Sequence, residues 1–163
     1  MRKKKATPRG HINPMAWMSA MMGAAALSRD DQTVWALQFR AALDAVRQAR
    51  ATRADWQVIV DAANLAEQLV RMRLAADPDG VISRAQQACA AVLQRWRERK
   101  IRAARAEELA ALYDLEGAMI DLQASITQSQ RYAAQRAVAE RAHHALAGQP
   151  SKTTLVLPPP DGE

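Results

Sequence analysis

Few residues in this chain have the type and spacing that chemistry requires. Histidine occurs only at His11, His143 and His144. Adjacent helical residues point about 100° apart, so His143 and His144 cannot readily chelate one ion together. Two solvent-facing histidines near a helix C-terminus, where positive charge is favoured, explain them better. The one cysteine, Cys89, stands in an alanine-rich apolar stretch between Arg84 and Arg95. Its expected role is a buried small hydrophobe, because a reactive thiol needs an exposed, electropositive pocket. The sequence holds no glycine-rich phosphate loop, His-Glu-x-x-His pair or zinc-type cysteine pair. The expectation is a protein with no catalytic residue, metal site or cofactor.

Two polar groupings remain. Asp61, Asn64 and Glu67 are spaced three apart and share a helix surface. An asparagine among apolar neighbours there suits a buried group that specifies packing, and the alternative is that Asn64 and Glu67 bind a partner. The second grouping runs from Arg95 to Arg105, in which Arg95, Arg99 and Arg102 share one helical face. Phosphate contact is its functional reading. A solvated face whose arginines pair with Glu107, Glu108 and other carboxylates is the structural one.

Overall charge looks like a nucleic-acid signal and is mostly a tail. Of 23 lysines and arginines, Arg2, Lys3, Lys4, Lys5 and Arg9 lie in the first nine residues, so 18 face 17 carboxylates in the body. The basic pI therefore describes an arm, which could add phosphate contacts to those of Arg95, Arg99 and Arg102.

The elements that must position these residues read as helices. Hydrophobic residues make up 49% and charged residues 25%, which supports a packed core rather than wholesale disorder. Asn13-Pro14 is a helix start, and an apolar helix is expected from there to Leu27. That run follows Lys3-Lys4-Lys5 as a signal peptide would. Pro8, Gly10 and Asn13 in a long leader and weak hydrophobicity favour a core helix instead. It is also shorter than the roughly 20 apolar residues that cross a bilayer.

Ser28 to Asp31 and Thr52 to Asp55 each place a hydroxyl cap three residues before a carboxylate, so helices should open there. The first should bury Val34, Leu37, Ala41, Ala42 and Val46, with Trp35, Phe39 and Leu43 widening the face. The second carries Trp56, Ile59, Val60, Ala63, Leu69, Val70 and Met72. Asp77-Pro78-Asp79-Gly80 marks a turn. A helix from Val81 to Ala104 should follow, burying Ile82, Ala85, Cys89, Val92, Leu93 and Trp96. Glu107 and Glu108 suit the start of another, striped by Leu109, Leu112, Leu115, Met119, Leu122 and Ile126 and continuing through Ala133 to Leu146. Whether residues 105–147 form one helix or two stays open, since Gly117 and the polar stretch 125–129 are no firm stops. Gly148 and Pro150 end the helical region.

The fold expected is all-α, a compact bundle of four to six helices. Residues 1–12 form a disordered basic arm, 13–148 the helical domain and 149–163 a flexible Pro-rich tail. Within that tail Thr153 to Leu157 has strand-forming chemistry, though a frayed terminus suits it better.

Asn13-Pro14 behind a basic arm, Ala51-Thr52-Arg53-Ala54-Asp55, Asn64-Leu65-Ala66-Glu67 and Glu108-Leu109-Ala110-Ala111-Leu112 resemble a family of small uncharacterised helical proteins. These are encoded by tailed phages and prophages of proteobacteria, and the resemblance covers roughly residues 9 to 141. It departs at Arg50-Ala51, where Gly-Ala is expected, and in the added Pro-rich tail. The resemblance implies a phage or prophage setting and a bacterial cytoplasm, and a lone cysteine fits such a reducing compartment. It transfers no activity. The expected function is an accessory protein that binds a host or viral macromolecule without catalysis, most simply a protein. A nucleic-acid-associated regulator using the arm and the Arg95–Arg105 surface is the alternative, and a homodimer the third. No membrane contact is expected.

Overall fold

A computed structural model of the protein describes Gly23, residues 25–147 and residues 154–159. The arm, with Arg2, Lys3, Lys4, Lys5 and Arg9, and most of the expected helix from Pro14 lie outside these residues. Gly23 is helical, whereas residues 25–28 are not.

Five helices make up the rest: α1 (Arg29–Arg47), α2 (Arg53–Arg71), α3 (Val81–Arg99), α4 (Ala106–Ser125) and α5 (Gln128–Leu146). The all-α bundle is thus the architecture, and among the described residues the only β-type pairing is one bridge, Ala26 with Thr127. No described helix is long and apolar enough to cross a membrane.

The caps open helices where their chemistry predicts. Ser28 Oγ accepts from the Asp31 amide at 3.0 Å. Thr52 Oγ1 accepts from the Asp55 amide at 3.3 Å, and the Asp55 carboxylate accepts from the Thr52 amide at 2.7 Å. Replacing Thr52 by alanine removes half of this exchange and is expected to cost about 1 kcal/mol of stability. An unchanged denaturation midpoint would show that α2 gains nothing from its cap. At the 77–80 turn, Gly80 takes the left-handed conformation (φ +66°). The Asp77 carboxylate reaches across it to accept from the amides of Ile82 and Ser83, both at 3.0 Å.

Two boundaries differ from expectation, and one that the sequence left open is decided. The α3 helix stops at Arg99 instead of Ala104, because Lys100 turns left-handed (φ +58°) and its amide closes on the Trp96 carbonyl at 3.1 Å. Residues 105–147 form two helices. Thr127 and Gln130 make a reciprocal capping box that starts α5 afresh, with Gln130 N to Thr127 Oγ1 at 3.3 Å and Thr127 N to Gln130 Oε1 at 2.9 Å. Gly117 does not interrupt α4. Finally, residues 154–159 are an extended segment docked on the bundle, not part of a flexible tail.

The α2 helix lies at the centre, touching α1, α3, α4 and α5. Ten of its 19 residues are buried, and the alanines among them let neighbouring backbones approach. The core joins Trp56, Ile59 and Leu69 of α2 to Phe39 and Leu43 of α1, Val92, Leu93 and Trp96 of α3, and Leu112, Leu115 and Met119 of α4. The α1 helix buries Phe39, Ala42, Leu43 and Val46 as expected but turns Val34, Leu37 and Ala41 outward. Val34 and Leu37 are 54% and 65% exposed. Both stripes have helical spacing, and burying Phe39 and Leu43, with Trp35 stacked on Phe39 at 5.0 Å, removes more apolar surface from water. The α5 helix is peripheral: among the five described helices it touches α2 alone, and it buries only Ala134.

Candidate partner-binding cleft

Because α5 packs lightly on α2, the two helices do not close against each other along their length. Between them opens a cleft of about 900 Å³. Its α2 side carries Arg53, Gln57, Val58 and Asp61, and Trp35 and Gln38 of α1 extend it. Its α5 side carries Arg131, Gln135, Val138 and Ala142, four residues whose spacing of four, three and four puts them on one helical face. Leu155, Val156 and Leu157 of the docked segment complete the wall.

The walls are apolar and half-buried at Trp35, Val58, Val138, Ala142 and Leu155, with exposed amides at Gln38, Gln57 and Gln135. Three charged residues line it, Arg53, Asp61 and Arg131, and Arg53 is taken up by the Pro158 carbonyl. Asp61 accepts from Gln57 Nε2 at 2.7 Å. Desolvation by the cleft wall raises its pKa and outweighs the lowering effect of that hydrogen bond. Half-buried Arg131 lies across from it, its guanidinium without a hydrogen-bond partner among the described residues. An apolar trough with a few convergent polar groups is the usual form of a binding site.

The arginines expected to share a face do not. Arg95 points inward and forms a two-pronged pair with Glu108, its Nη1 at 2.7 Å from Oε1 and its Nη2 on Oε2. The two side chains are only 15% and 8% exposed. Arg95 is therefore a structural ion-pair partner that fastens α3 to the start of α4, where Glu108 also accepts from the Arg105 amide at 2.8 Å. Arg99 is exposed in the last turn of α3. Arg102 lies beyond the end of that helix, and its guanidinium covers the Trp96 ring at 4.5 Å. The common face depended on a helix reaching residue 102.

Of the remaining candidates, Cys89 and Asn64 are built into the packing. Cys89 is fully buried, and desolvation pushes its thiol up to about 12. His143 and His144 are exposed, their rings edge to face at 6.1 Å. No group of three metal-binding side chains occurs among the described residues. Asn64, 2% exposed, serves the protein's own packing. Its Nδ2 donates to the Leu155 carbonyl at 2.9 Å, and its Oδ1 accepts from the Leu155 amide at 3.0 Å.

Arg131, Val138 and Ala142 escaped the sequence reading, although their common face is written in their spacing. No known protein family, curated protein or solved structure matches the chain.

Proposed function

We propose that this is an accessory protein, of the sort that tailed phages and prophages encode, which binds a protein segment of host or virus and performs no catalysis. The observation that carries the reading is the cleft between α2 and α5, with apolar walls and Arg131, which has no hydrogen-bond partner among the described residues, facing in. A segment with an apolar face and one carboxylate complements it, because a carboxylate on Arg131 forms a charge-assisted, bidentate hydrogen bond. The phosphate-binding alternative draws less support, since Arg95 is committed to Glu108 and Arg102 to the Trp96 ring. The resemblance to phage proteins supports the setting alone.

The test is affinity capture by the full chain against a Val138→Arg, Ala142→Arg double variant. Both substitutions fill the cleft with long charged side chains and keep good helix formers in α5. Retention of a specific protein should fall by about tenfold or more, a difference near 1.4 kcal/mol, while the thermal unfolding midpoint stays the same. Equal retention by both chains would remove the cleft from the function. If the intact chain instead binds generic duplex DNA with affinity falling steeply in salt, the basic arm is the working part.

A further inference from the structure

The docked segment is held by its backbone as well as by its side chains. Side chains from two helices read its backbone. Asn64 of α2 makes both hydrogen bonds to Leu155 that a neighbouring β-strand would make. Arg97 of α3 donates to the Val156 carbonyl at 2.6 Å, and Arg53 of α2 donates to the Pro158 carbonyl. Leu157 fills an apolar pocket and is 6% exposed. Backbone hydrogen bonds for affinity, with pockets for particular side chains, are how proteins recognise extended peptides.

One end of this groove has spare capacity. Arg141 of α5 donates from Nη1 to Gln68 and from Nε to Thr154 Oγ1 at 2.8 Å. Its Nη2 is buried with no acceptor. Nε and Nη2 form one edge of the guanidinium fork, the edge that takes a carboxylate with two parallel bonds. A threonine hydroxyl uses half of it. Through Arg141 the segment is also tied to the peripheral α5.

We propose that the groove is a peptide-recognition site occupied in cis, and that its partner ligand is an extended segment with an acidic residue where Thr154 stands, followed by apolar residues and proline. Residues 154–159 are then a weak internal competitor, and a partner with the better-matched first residue displaces them. A cis occupant lowers the apparent affinity for such a partner by the fraction of time it is seated. This deepens the reading of the protein as a binder of protein segments, since Leu155 to Leu157 also wall the cleft.

The experiment uses the full chain and two labelled peptides, Thr-Leu-Val-Leu-Pro-Pro and Asp-Leu-Val-Leu-Pro-Pro, with amide hydrogen exchange as second readout. In the free protein the Leu155 amide should exchange about a hundredfold faster than the Leu69 amide in the core of α2, because it opens locally. Exchange of both only through global unfolding would overturn the proposal. The acidic peptide should bind about tenfold tighter than the threonine peptide and should speed Leu155 exchange further. Equal affinities, or no binding, would overturn it. Asn64→Ala should abolish peptide binding. Arg97→Gln, at an exposed position that leaves the core untouched, should weaken it, and undiminished binding by this variant would also overturn the proposal. The failures separate cleanly. A cleft variant that loses its partner while Leu155 exchanges only globally leaves the cleft standing and removes the groove.

Discussion

Trp96→Ala is expected to lower stability by about 3–5 kcal/mol, the range for truncating an aromatic side chain in a packed core. Trp96 is 2% exposed and sits on α3 in step with Cys89, Val92 and Leu93. Its ring also lies under two guanidiniums, Arg102 at 4.5 Å and Arg53 at 6.0 Å. One side chain thus joins α3 to the loop after it and to the first turn of α2. Each cation–π contact adds about 0.5–1 kcal/mol at such partly exposed sites. A domain with a total stability of about 5–15 kcal/mol has little reserve against that loss. Urea denaturation should show a much lower midpoint with an unchanged slope, since the surface exposed on unfolding is nearly the same. A loss below about 1 kcal/mol would place the ring outside the core and contradict the packing of α3.

Where the sequence made the architecture legible, two residue types had to stand at a fixed distance. Ser28 with Asp31 and Thr52 with Asp55 are such pairs, and both open helices. Thr127 with Gln130 is another, but the polar run around it reads equally well as a kink inside one long helix. The end of α3 had no comparable sign. Periodicity continues past residue 99, and Lys100 takes a left-handed conformation that disfavours a side chain by about 1–2 kcal/mol. Only the folded context, with the loop running on to Arg105, makes that conformation worthwhile.

The site was less legible than the fold, for a reason of distance. Asn64 and Leu155 are 91 positions apart, so no local pattern links the asparagine to the segment it holds. Asn64 as a buried packing residue was readable from its apolar neighbours, whereas its partner was not. At Arg95 two readings were open in the sequence, phosphate contact and pairing with Glu107, Glu108 or other carboxylates, and the pair with Glu108 is the one that forms.

Arg95→Gln supplies the second large effect, and its dependence on pH tests the assignment from two sides. Glutamine keeps the length and helix propensity of the site but leaves the buried Glu108 carboxylate without its cation. Breaking a buried pair from one side costs about 3–5 kcal/mol, and the residual exposure of Arg95 argues for the lower figure, about 3 kcal/mol at pH 7. In the native protein, burial alone would raise the Glu108 pKa. Hydrogen bonds from Arg95 and from the Arg105 amide, with the charges of both arginines, outweigh burial and hold it below the ordinary 4.5. A depressed carboxylate stabilises the fold above its unfolded pKa, and that contribution is lost as pH falls through the lower folded value. The native protein should therefore lose stability on acidification below pH 4.5 at this group. In the variant only Arg105 opposes burial, so the folded pKa rises relative to the native protein. The stability that the native pair supplies above the unfolded pKa is then reduced, and the variant loses less on acidification. The gap between the two proteins should be widest near pH 7 and should shrink below pH 4.5. Denaturation midpoints across that range measure it directly. A gap below about 0.5 kcal/mol, typical of exposed pairs, or one constant with pH would mean that Arg95 is surface charge and free for a partner after all.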